Sequence, residues 1–121
     1  MRAKLNRPID DTEVAVVRLA LERCAETPEA RALLPTVGNL SVVGKCDCGC
    51  ATVDFARNSS ELPRPIADGI GVTPSGDHVG VIIWGVDDSI TGLEIYDMSA
   101  SASGLPLSDL QSIISFDEGA A

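Results

Sequence analysis

The nine residues "HVGVIIWGV", positions 78–86, constrain this chain more than any other stretch. In an extended backbone Val79, Val81 and Ile83 point one way and Ile82, Trp84 and Val86 point the other, so both faces are apolar. Turn residues close the run on each side, "TPSGD" at 73–77 and "DDS" at 87–89. A short run that is apolar on both faces and bounded by turns belongs in the middle of a sheet.

The flanking sequence supplies that sheet. "LSVVGKC" (40–46) and "ATVDFAR" (51–57) read as the arms of a hairpin; Ala51, Val53 and Phe55 share one face of the second arm, while Thr52 and Asp54 take the other. "IADGIGV" (66–72) is a glycine-weakened strand. In "ITGLEIYDM" (90–98), Leu93 and Ile95 face inward, Glu94 and Tyr96 face the opposite way, and Gly92 marks a bulge. "LPLSDLQSIISF" (105–116) fits either a short helix or a final strand.

Before the strands come helices. "DDTEVAVVRLALERCAE" places Val14, Val17, Leu21 and Cys24 on one stripe, with Asp10, Asp11 or Thr12 as its cap. Thr27-Pro28 ends it and opens a shorter helix, "PEARALL", that Pro35 stops. The expected architecture is α+β: two N-terminal helices packed on an antiparallel sheet of about five strands, in one domain over 1–121, with 1–9 and 117–121 as loose ends. A chain of 121 residues suffices for one core, and its 45% hydrophobic content supplies the apolar material.

Charge is unevenly spread. Residues 1–45 carry seven Lys/Arg and six Asp/Glu, a net +1; residues 46–121 carry two and twelve, a net −10, which gives −9 for the whole chain. Such a field repels phosphate backbones and anionic membrane surfaces and favours a basic partner. Two Phe, one Trp and one Tyr are too few for a base-stacking platform. The basic N-terminus is followed by no apolar signal core, and no run of about 18 apolar residues is present, so a cytosolic protein with reduced cysteines is expected. None of the phosphate-cradle, zinc-protease or nucleophile-elbow motifs occurs, and "DGIGVTPSG" lacks the basic residue and following helix that phosphate binding requires.

Cys46, Cys48 and Cys50 fall within five positions, in "KCDCGC". A zinc site brings sulfurs within about 4 Å of one another, whereas residues i and i+2 of a strand lie nearly 7 Å apart, so the cluster requires a curl that Gly49 and Asp47 permit. Cys24, His78 or water would complete the ligand set. The alternative is a turn whose cysteines fill small, partly buried slots.

"VVGKCDCGCATVDF" followed by "GLEIYDM" resembles a group of small bacterial proteins with a cysteine–glycine hairpin, a hydrophobic strand, an acidic turn and an L-E-[IV]-Y strand. More loosely, an acidic α+β domain with L-E-[IV]-Y is similar to immunity proteins of bacterial toxin systems. That resemblance implies a non-enzymatic, immunity-like or regulatory domain that binds a protein partner. The helices cover one sheet face; the other is open, or covered by the C-terminal tail or a second copy of the chain. Trp84 and Tyr96, rimmed by Glu94, Asp87 and Asp88, form the expected partner-binding patch on that face. The alternative function is zinc binding at Cys46, Cys48 and Cys50.

Overall fold

A computed structural model of the chain describes residues 2–46, 51–57, 60–74, 76–86, 88–98 and 112–115. Its centre is a seven-stranded, wholly antiparallel sheet. In chain order the strands are β1 (Arg2–Pro8), β2 (Ser41–Cys46), β3 (Val53–Phe55), β4 (Arg64–Val72), β5 (His78–Val86), β6 (Ser89–Asp97) and β7 (Ser112–Ser115). Across the sheet they run β1-β2-β3-β6-β5-β4-β7. The doubly apolar β5 lies between β4 and β6, inside the sheet as its composition requires.

The α+β class and the antiparallel sheet hold, and all five anticipated strands form. Two strands and the helix lengths depart from expectation. Residues 1–9 are not a loose end: they contain β1, which pairs along β2 from Arg2↔Cys46 to Pro8↔Ser41 with an irregularity between Lys4 and Arg7. The undecided C-terminal segment contributes a strand, β7, on the outer edge of β4. The second helix is a single turn, α2 (Pro28–Arg31), followed by a 3-10 helix over Leu34–Asn39. Residues 117–121 lie outside the described residues.

The principal helix, α1 (Asp11–Cys24), starts where a capping box fixes it. Glu13 N donates to Asp10 Oδ1 at 2.7 Å and Asp10 N donates to Glu13 Oε1 at 3.1 Å, so two otherwise orphaned amides are satisfied. Val16, Val17, Ala20, Leu21 and Cys24 are buried at 3-4 spacing. The helix lies over β7, β4 and β5, and these residues join one buried cluster with Ile113, Ala67, Val79, Val81 and Ile83, which Leu93 and Ile95 of β6 extend. Each fully buried Val, Leu or Ile contributes about 1.5–3 kcal/mol of transfer free energy. Gly69 marks the closest approach, since a Cβ there would lie 2.6 Å from Cys24 Sγ. Beyond α1 the chain lies on the edge of β4: Ala25 bridges Ala67 and Glu26 N donates to Ile66 O at 2.9 Å, just past the residues that pair with β7.

Arg7 ties β1 to this helix start. Its guanidinium donates through Nη1 to Glu13 Oε1 and through Nη2 to Glu13 Oε2, both at 2.8 Å. Glu13 is 4% exposed. Burial pushes its carboxyl pKa up, but the Arg7 fork and the Asp10 amide outweigh burial and hold it below the usual range.

The narrowest part of the sheet is β3. Only Val53↔Leu93 and Asp54↔Gly92 pair it with β6. Thr52 extends the join: its hydroxyl donates to Ile95 O at 3.2 Å and accepts from Ile95 N at 2.9 Å, so a side chain occupies the place of a backbone partner. No helix among the described residues is long and apolar enough to cross a membrane.

Candidate functional site

Alternation along the strands sets the composition of the sheet face turned away from α1. On β5, Val79, Val81 and Ile83 are almost fully buried, whereas Ile82 and Trp84 between them are partly exposed. Glu94 and Tyr96 alternate in the same way with Leu93 and Ile95 on β6. Trp84, Glu94 and Tyr96 therefore share the face opposite the helix. Val86 departs from simple alternation, because the pairing shifts between Trp84 and Gly85; Thr91 is the extra residue on β6, and Val86 turns into the interior at 3% exposure.

Within this face the indole of Trp84 is fixed by its neighbour: Nε1 donates to Glu94 Oε1 at 2.9 Å. Tyr96 lies flat across the sheet because its register partner is Gly80; a Cβ on Gly80 would collide with the phenol ring. Asp54 is likewise seated over its partner Gly44, where a Cβ would meet Asp54 Oδ2 at 2.8 Å. Large polar and aromatic side chains thus stand opposite glycines.

Of the anticipated rim acids, Glu94 stands beside Trp84. Asp88 is exposed in the β5–β6 turn, past the end of β5. Asp87 lies outside the described residues. The acids set beside the aromatics by strand pairing are Asp54 and Asp68. Asp68, Ile82 and Glu94 form one row across β4, β5 and β6, and a Cβ on Gly92 would lie 3.7 Å from Trp84 Cβ and 3.9 Å from Asp54 Oδ1. The alternation of "ATVDFAR" already put Asp54 on this face; it could not show that β3 pairs with β6 rather than with the next strand in sequence.

Asp68 is the electrostatic opposite of Glu13. Its Oδ1 is sealed from solvent with no hydrogen-bond partner among the described residues. Burial, then the charges of Glu26 and Glu94, raise its pKa above the usual carboxyl value. The Tyr96 phenol is pushed up as well, by burial first and then by Asp68 and Glu94. Negative charge is crowded on this face.

Beside the row lies a groove of about 790 Å³, between Trp84 and Glu94 on one side and Val43, Thr52 and Asp54 on the other. Arg57 and Pro63 also line it. Thr91 lines it too: the residue is 6% exposed, and its Oγ1 is buried without a hydrogen-bond partner among the described residues.

Of the candidate metal ligands, Cys46 ends β2, and Cys48 and Cys50 lie outside the described residues. Cys24 stands far from Cys46. It is buried against Gly69 of β4, four strand spacings or about 19 Å across the sheet from β2, beyond the reach of a shared ion. Its position on the apolar stripe of α1 gives it a packing role. Among the described residues no three His, Cys, Asp or Glu side chains are grouped to hold a metal.

Comparison of the chain with protein-family models, with curated proteins and with solved structures finds no match, so any reading of this face rests on its own residues.

Proposed function

We propose that this chain is a non-enzymatic, cytosolic partner-binding domain, immunity-like or regulatory, whose open sheet face receives a basic protein. The observation that carries the reading is the pinned Trp84–Glu94 pair beside Tyr96, Asp54 and Asp68, on the face turned away from α1. Aromatic anchors whose rotamers are fixed before binding lose little side-chain entropy in a complex, and surrounding carboxylates steer and select a partner of opposite charge. The chain's net charge of −9 acts in the same direction at long range.

Capture of partners from the source organism by tagged wild type, Trp84→Ala and Glu94→Gln tests this. A basic protein retained by wild type, released by raised salt and lost from both variants is the expected result. A wild-type chain that retains nothing and instead converts a small molecule with saturable kinetics overturns it.

A separate proposal attaches to the three thiols at 46, 48 and 50, which by their spacing suit a curled zinc site. Elemental analysis of protein purified without chelator, against the triple Cys→Ser variant, decides it: near-stoichiometric metal in the first alone supports the site, and metal-free wild type removes it.

A further inference from the structure

We propose that the groove beside Trp84 is an arginine pocket, built to take one guanidinium side chain of a partner protein. The inference rests on the reading of this face as a surface for a basic partner and names the group that enters it.

Four features converge. The wall is the indole of Trp84, the best aromatic surface for a guanidinium, and it is held in place by the Nε1 bond to Glu94. Asp54 and Trp84 stand on opposite sides of a gap that Gly92 leaves open, where a Cβ would be 3.7 Å from Trp84 Cβ and 3.9 Å from Asp54 Oδ1; Glu94, two residues along β6, lines the same groove with a second carboxylate. At the β6 bulge the protein leaves a hydroxyl unmatched: Thr91 is 94% buried by its 6% exposure, and Oγ1 meets no partner among the described residues. An unpaired buried hydroxyl is unfavourable for folding alone and is relieved by a ligand that brings a donor. The neighbouring Thr52 hydroxyl is already committed to both backbone groups of Ile95, so Thr91 is the groove threonine whose hydroxyl has no partner among the described residues, and a guest would reach it only by a small movement of the groove wall.

The occupant this combination selects is planar, cationic and rich in donors without an acceptor. A guanidinium meets all of these: it stacks on the indole, forks onto a carboxylate and donates to a hydroxyl. An ammonium satisfies only the charge. Arg57 also lines the groove, so among the described residues the charged lining is two carboxylates to one guanidinium, and a cation remains the favoured guest. About 790 Å³ exceeds one arginine side chain, which leaves room for the flanking peptide to lie along β3.

Trp84 is the only tryptophan, so intrinsic fluorescence reports the groove directly. The probe is acetyl-Gly-Arg-Gly-amide, with the lysine and citrulline analogues as controls. Saturable quenching with a dissociation constant of about 1–10 mM is expected for arginine, at least about tenfold weaker for citrulline, with lysine between. Glu94→Gln and Asp54→Asn should each weaken arginine about tenfold, and the isosteric Thr91→Val several-fold while folding at least as stably as wild type. No saturable quenching up to about 20 mM, equal response to citrulline, or quenching unaltered in all three folded variants overturns the pocket. So does a concentration-dependent Trp84 signal from self-association that arginine leaves unchanged. A basic partner retained by wild type and Thr91→Val alike, yet lost from Tyr96→Ala, keeps the partner-binding reading and overturns the arginine pocket.

Discussion

The two faces of the sheet are made from the same strands and treat polar groups in opposite ways. On the α1 side the buried carboxylate of Glu13 accepts from both Arg7 nitrogens and from the Asp10 amide, and its pKa falls. On the other side Asp68 is crowded by Glu26 and Glu94, has an oxygen with no partner among the described residues, and its pKa rises. The first arrangement holds a fold together. The second is a local conflict that folding alone does not reward, and such conflicts concentrate where a protein does something else.

The sharpest way to break the comparison uses two neighbours on β5. Ile83, fully buried on the helix side, should cost about 2–5 kcal/mol when replaced by Ala, whereas Ile82→Ala on the open face should cost about 1 kcal/mol or less, both read by urea unfolding. Equal losses would mean that the open face is core. Next in size, Arg7→Ala should cost about 2–3 kcal/mol; the buried Glu13 is left without its fork, and the figure is kept below that of a fully buried pair because Arg7 is 38% exposed. A loss below about 0.5 kcal/mol would reduce the pair to a surface contact.

The smallest effect is a matter of sign. Glu13 has a lowered folded pKa, so its stabilisation is present above the unfolded carboxyl value and is lost as pH falls through the folded one. Asp68 has a raised folded pKa, so between the unfolded and folded values the native state binds more protons, and stability declines as pH rises through that window. Asp68→Asn should therefore match wild type in acid and equal or exceed it at neutral pH, by unfolding midpoint at each pH. An Asn variant that loses stability only at neutral pH would show that the Asp68 carboxylate is a stabilising partner and remove the contrast.

What the sequence reveals of these faces follows from where each element obtains its stability. Strands β2 to β6 draw it from side chains at spacing two, so "HVGVIIWGV" and "ITGLEIYDM" are legible without any knowledge of their neighbours. Strand β1 is not: "RAKLNRP" alternates weakly, carries three cations and ends in Pro8, the marks of an edge strand that avoids pairing with other chains. It forms because β2 offers an edge and Arg7 reaches Glu13. Four-residue β7 is too short for a period to establish itself. On the open face, alternation alone placed Trp84, Glu94 and Tyr96. Asp68 escaped because its significance lies in a row across three strands, and no spacing within one strand encodes that.

The narrowness of β3 also bears on how the molecule opens. With two paired residues and the Thr52 hydroxyl joining β1–β2 to β4–β7, the sheet consists of two blocks that meet at a neck. Closing it requires residues 43 positions apart to meet, at a larger loop-entropy cost than the short hairpin between β5 and β6. The block built on β5 is thus suited to be the persistent part of the native ensemble. Amides of β1 and β2 should then exchange with solvent through a cheaper, partial opening, and the groove at the neck would tighten when a guest joins the two blocks.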